Sequence, residues 1–265
     1  MPTVSRFFFR LFAGSLVLTL IACQAVVPAQ FDAVTGQRLK AQRVGSFRVQ
    51  METSSYGADV VSDLEAMGES LTQSLNARYI FPKGDVQAVF RDCGFANAYY
   101  RPATSTIGMC YEMYRSLQEK FSPQDALEVF RFIFLHELGH ALIDQFDLPI
   151  LGGEEDAADA LATVLLIEGG APSRAAVLAG VNFFDLYRSG LSNNWADEHA
   201  VGPQRMFNLV CWGAGGEAGV LSNRTIAALY RETVRSGRNC DREYLRQKAS
   251  VMDLLAPFVT EEGML

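Results

Sequence analysis

The sequence predicts an α+β domain, with a small N-terminal β-sheet and its helices followed by a mainly helical C-terminal part. Two observations carry that expectation. Runs rich in β-formers and bounded by turn residues fall before Tyr111, and most of the chain after it carries apolar residues at helical spacing. A third sets the scale: 265 residues, 49% of them hydrophobic and 11% aromatic, suffice for one sizeable core.

In chain order, the first segment lies outside that domain. Arg6 and Arg10 precede an apolar stretch, Leu11 to Ala22, too short to cross a bilayer as a helix, so residues 1–22 read as a signal peptide. The stretch ends in "LIAC", Leu20 to Cys23, which resembles the lipobox of bacterial lipoproteins. That resemblance implies lipidation of Cys23 as the first mature residue, and Gln24 looks like an outer-membrane sorting signal. Cleavage after Ala29, in "VPA", is the competing expectation and would release a soluble periplasmic or secreted protein. Residues 23–43 have little periodicity and read as a tether, leaving 44–265 as the folded domain.

Within the domain, Phe47, Val49 and Met51 alternate as in a strand. Val60, Leu64, Met67, Leu71 and Leu75 then recur at helical spacing and predict an amphipathic helix to about Ala77. "DVQAVFRDCG" and "NAYYRP" suggest a hairpin or meander, and a further strand is expected around Ile107 and Met109. Ser122-Pro123-Gln124-Asp125 marks the start of a helix, with an N-cap serine, a proline at the first helical position and an acid at the third. The run from Ala126 to Leu135 is almost continuously apolar, so this helix is buried on most sides, and Pro149 ends it near Asp147. A second helix is expected from Gly153 to about Ile167, stopped by Gly169-Gly170, and others at 203–213, 223–236 and 241–255.

Charge and cysteine usage narrow the setting. A net charge of −7, falling to −9 once the two signal-peptide arginines are removed, argues against nucleic acid as a partner. Besides Cys23, four cysteines remain: Cys93, Cys110, Cys211 and Cys240. An even number in an exported chain reads as two disulfides, and of the three pairings the local one, Cys93–Cys110 with Cys211–Cys240, is preferred over buried free thiols. No pair has the C-x-x-C spacing of a zinc knuckle.

The chemistry concentrates in "FRFIFLHELGHALI". His136, Glu137 and His140 match H-E-x-x-H inside a helix. Residues i and i+4 share a helix face, so both imidazoles can hold one Zn²⁺, while Glu137 lies about 100° round the helix and can act as general base on a metal-bound water. The flanks are apolar except for Arg131, and burying two histidines and a glutamate there is costly unless they have partners. Catalytic zinc needs a third protein ligand. An H-E-x-x-H-x-x-G-x-x-H extension is excluded, since Ile143 and Phe146 stand where glycine and histidine would be.

The acidic stretch "GGEEDAADA", residues 152–160, offers the alternative. Glu155 and Asp159 are i and i+4, and the alanines between them allow close helix approach. "EDAAD" resembles the E-x-x-x-D signature of the gluzincin metallopeptidases, such as the thermolysin-like enzymes. The resemblance implies that Glu155 is the third metal ligand and that Asp159 orients His136, with Asp156 or Glu154 as substitutes for Glu155. Otherwise Glu154 and Asp156 are expected to be solvated acids favoured by the helix dipole. Together with "IGMCYEMY" and "DEHAVGPQRMFNLVCWGAG", the region from about 45 to 245 resembles a bacterial family described as "putative metallopeptidases", which implies a zincin-like fold. Zincins commonly bind an extended peptide along an edge strand; by that resemblance the strand at Ile107–Cys110 is the expected edge.

His199, in "WADEHAVGPQR", has three open readings: a hydrogen-bond donor to the reaction oxyanion, a surface or capping histidine, or a metal ligand in place of Glu155. Arg205 is expected on a helix surface, with binding of a substrate carboxylate as the alternative reading, and Tyr99 and Tyr100 in hairpin packing rather than in a cleft. The expected function is zinc-dependent hydrolysis of peptide bonds in a peptide or protein substrate, by an exported protein attached to the membrane only through its lipid. The alternatives are a non-catalytic zincin-fold binding lipoprotein and a zinc amidase acting on a cell-envelope amide.

Overall fold

A computed structural model describes residues 41–187, 202–217 and 223–261. The signal segment, Cys23 and His199 lie outside the described residues. The architecture is α+β: four strands come first in the chain, and the remainder is mostly helical.

Strand β1 (Phe47–Met51) is followed by helix α1 (Ala58–Arg78) and by β2 (Val86–Arg91), which pairs parallel with β1. That is a β-α-β crossover. β3 (Ala98–Arg101) and β4 (Thr106–Cys110) form an antiparallel pair, and β4 inserts beside β2 in parallel, giving the sheet order β1-β2-β4-β3. Two expectations are thereby corrected. The stretches before and after residue 95 do not pair with each other as a hairpin or meander, because β4 lies between them. The edge strands are β1 and β3, and Ile107–Cys110 is interior, as its four buried residues require; the edge beside α3 is β3.

Helix α2 (Tyr111–Gln118) leaves the end of β4 directly and is followed by α3 (Pro123–Phe146). The N-cap of α3 is Ser122, whose Oγ accepts from the Asp125 backbone N–H at 3.2 Å, and Pro123 sits at the first position, where its missing N–H costs nothing. Its C-cap, Asp147, takes the left-handed conformation at φ 46° and is held by Lys83 Nζ at 2.7 Å. The apolar run is buried because α3 is the central helix, packed on the sheet, α2, α4 and α5. Phe130 and Phe134 meet Phe90 and Phe47 of the sheet, and Phe146 stacks on Phe258 at 4.1 Å. Each such buried ring stabilises the fold by roughly 2 to 3 kcal/mol.

Helix α4 (Glu154–Glu168) returns antiparallel to α3, and α5 (Ala171–Tyr187), α6 (Gly202–Gly215), α7 (Arg224–Arg235) and α8 (Cys240–Leu255) complete the helical part. Cys93 is bonded to Cys110, and Cys211 to Cys240. The first bond ties the loop leading into β3 to the end of β4; the second ties α6 to α8. No helix among the described residues is long and apolar enough to cross a membrane.

Candidate metal centre

Two neighbouring helices position the centre. α3 carries His136, Glu137 and His140, and α4 carries Glu154, Glu155 and Asp159 on the side facing it. Their axes come close because the facing residues are small. A Cβ added to Gly139 would lie 2.8 Å from Ala158 Cα and 2.9 Å from its carbonyl oxygen, so only glycine fits there.

The three expected ligands converge. His136 Nε2 lies 3.3 Å from His140 Nε2 and 3.1 Å from Glu155 Oε2, and His140 Nε2 lies 3.3 Å from Glu155 Oε1. On the outer side, His136 Nδ1 is 2.9 Å from Asp159 Oδ1, and His140 Nδ1 is 2.7 Å from Glu154 Oε1. A carboxylate can only accept, so each Nδ1 carries a hydrogen and each Nε2 points inward. Two inward Nε2 atoms and a carboxylate facing one another need positive charge between them, supplied by a metal ion or, without metal, by a proton on Nε2. The donor set fits a metal ion, and two nitrogens with one oxygen suit zinc-like borderline ions.

The same arrangement shows in the proton affinities. Burial disfavours a charged His136, but its hydrogen bonds to Asp159 and Glu155 prevail and raise its pKa to about 9. Burial alone would raise the pKa of Glu155; the two imidazoles outweigh it and hold the group below the usual carboxylate range. Glu137, 8% exposed, has its pKa raised, first by burial, so its carboxylate is a better proton acceptor than a solvated one. It lines the same cleft of about 710 Å³ as His140, Glu154 and Glu155.

Three residues differ from their sequence-based expectation. Glu154 is not merely a solvated acid at a helix start, because it orients His140 as Asp159 orients His136. Arg205 is buried, not on the surface: its Nε and Nη2 clamp Asp159 at 2.7 and 2.8 Å, and its guanidinium lies 4.6 Å from the centre of the Phe184 ring. Arg205 therefore neutralises a carboxylate that is wholly buried. The available signal was "RMFNLV", which puts Arg205 one turn before an apolar helix face, but its partner lies 46 residues away. Asp156 is half-buried, and its Oδ1 has no hydrogen-bond partner.

The cleft's far wall is the edge strand. Ala98, Tyr99, Tyr100 and Pro102 line it, which corrects the packing-only expectation for the tyrosines. Tyr100 Oη donates to Asp144 Oδ2 at 2.6 Å and so pins β3 one turn beyond His140 on α3. A smaller cavity of about 120 Å³ opens beside His136 and Glu137, walled by Phe132, Ile133, Phe183 and Phe184. His199 falls outside the described residues and is not part of this geometry.

Residues 48–255 match the model of a family described as "Putative metallopeptidase". No curated protein and no solved structure matches the chain.

Proposed function

Since the chain belongs to that metallopeptidase family, we propose that it is a zinc-dependent peptidase that hydrolyses peptide bonds with Glu137 as general base. One observation carries the reading: the inward Nε2 atoms of His136 and His140 and the carboxylate of Glu155 meet at 3.1 to 3.3 Å beside the Glu137 carboxylate in an open cleft. Zinc held there would supply an acidified water and a Lewis acid for the scissile carbonyl. Glu137 takes the proton of the attacking water and returns it to the leaving amine. Asp159 and Glu154 keep both histidines in the tautomer that presents Nε2, and Arg205 keeps Asp159 ionised. An extended peptide pairs along the open edge of β3, with an apolar side chain next to the scissile bond entering the cavity walled by Phe132 and Phe184. His199 is assigned as a donor to the oxyanion on its sequence context alone. Two disulfides support an oxidising, exported setting, and the "LIAC" motif supports a lipid on Cys23.

The test is metal analysis combined with two variants. Purified protein should carry about one zinc per chain. Glu137→Gln should keep that zinc and lose about 10²- to 10⁴-fold in kcat. Glu155→Ala should lose the metal, whereas Glu154→Ala should weaken it by about tenfold, the lower end for an orienting partner that is half exposed. Unchanged hydrolysis by Glu137→Gln would refute the general base, and protein without metal at neutral pH would refute the centre.

A further inference from the structure

On the opposite side of the α4 start from the cleft lies a second groove, of about 640 Å³. Ile150, Leu151, Trp212 and Leu254 give it an apolar floor and rim. Among the described residues, its charged lining residues are Asp156 and Asp253, with no lysine or arginine. Three observations connect it to the candidate active site. Gly153 lines both the groove and the cleft, and at Gly152 and Gly153 nothing lies within 4 Å of where a side chain would begin, so no side chain of these residues stands between the two. Asp156, the residue after the ligand Glu155, lines the groove with a half-buried side chain, one of whose carboxylate oxygens is buried without a hydrogen-bond partner. Helix α6 forms one wall through Asn208 and Trp212 and reaches the metal centre through Arg205.

The groove is also built to keep its width. The wall opposite α6 is α8, which contributes Gln247, Ser250 and Leu254, and Cys211–Cys240 bonds the two helices. Gly215 allows α6 to approach the Cys240 carbonyl so closely that any side chain there would collide with it. A braced apolar trough with acids on its lining, sharing Gly153 with the candidate catalytic cleft, has the chemistry of a polypeptide subsite. An extended chain advances about 3.3 Å per residue, so a few residues span the stretch beside Gly152 and Gly153.

We propose that the substrate is an extended polypeptide that crosses Gly153 into this groove, seating an apolar side chain against Trp212 and Leu254 and a basic one between Asp156 and Asp253. The inference rests on the peptidase reading and names its substrate class: chains with an apolar–basic segment distal to the cut, rather than dipeptides or small amides.

The experiment uses metal-loaded, full-domain protein and a nested set of quenched-fluorescence peptides sharing one cleaved core. They are extended at either end from about 4 to about 12 residues, with Leu-Lys or Asp-Asp in the extension. Extension with Leu-Lys at one end should raise kcat/KM by about tenfold or more, and Asp-Asp should not. Ser250→Trp, at an exposed α8 position, fills the trough; Asp253→Lys reverses its charge. Either should remove the gain from length while short peptides keep their kcat/KM within about twofold. Binding of the longest peptide to Glu137→Gln, followed by fluorescence anisotropy, should weaken in the Ser250→Trp background. No dependence on length, or equal losses on short and long peptides, would overturn the groove assignment. So would a change of oligomeric mass on Ser250→Trp, since the groove would then be an interface between copies. If no peptide is cleaved but Glu137→Gln binds the long one in a Ser250-dependent way, the peptidase reading fails and the groove stands. If neither occurs, both fall.

Discussion

His136 is gripped more tightly than His140, and the difference sets how protons and metal compete. Its Nδ1 faces an Asp159 that is wholly buried and clamped by Arg205, whereas the Glu154 that faces His140 is half exposed. In the metal-free protein the hydrogen bonds that His136 donates to Asp159 and Glu155 overcome the cost of burial and keep it protonated up to about pH 9. A pKa raised on folding stabilises the metal-free fold fully below the ordinary histidine pKa of 6.5, and that stabilisation is lost as pH rises through about 9. Metal binding must expel the same proton. Apparent zinc affinity should therefore rise by at least about tenfold per pH unit as pH approaches about 9, with one proton released from His136 and a further contribution from His140, whose pKa is also raised against the cost of burial by its bonds to Glu155 and Glu154. Chelator competition across that range measures the slope, and calorimetry in two buffers measures the proton. A flat profile would mean that His136 is neutral without metal, contrary to the network around it.

At the scale of elements, the centre depends on how near α4 lies to α3. Gly139→Ala places a methyl group within 3 Å of Ala158 backbone atoms, and the helices must part to admit it. We expect a stability loss of about 1 to 3 kcal/mol and a disproportionate loss of zinc, because Glu155 and Asp159 move with α4 while the histidines stay on α3. Thermal unfolding with and without chelator separates the two effects; a variant destabilised but fully metallated would show that α4 yields elsewhere. Most of this arrangement is legible in sequence because its determinants are local. The H-E-x-x-H spacing, the Ser122 cap with Pro123, and the shared face of Glu155 and Asp159 each follow from helix geometry within a few residues. The rest depends on distant partners. Arg205 looks like a surface arginine until Asp159 is placed beside it. Strand β3 looks like half of a hairpin with β2 until β4 takes the position between them. Glu154 sits at an ordinary place for an acid at a helix start, and only the approach of α3 gives it an imidazole.

For the whole molecule, the disulfides brace the surroundings of the centre rather than the centre itself. Cys93–Cys110 holds the loop into the edge strand, and Cys211–Cys240 holds α6 against α8. Replacing Cys211 and Cys240 by serine should cost about 3 to 4 kcal/mol from the chain entropy of a loop of 29 residues, read as a lower urea midpoint. Zinc content at low denaturant should be unchanged, and its loss would show that the two cross-linked helices help to hold the ligands. The ligands themselves need little of the rest of the chain. His136, His140 and Glu155 come from one antiparallel helix pair, fewer than twenty residues apart in sequence. Bringing them together closes only a short loop, whereas the groove walls await α6 and α8, fifty to a hundred residues later. Chains emerge N-terminus first, so the ligand hairpin is complete while the helices behind it are still unmade. Metal capture and completion of the fold are thus separable in time, and an ion already in place would give the later helices a formed surface on which to assemble.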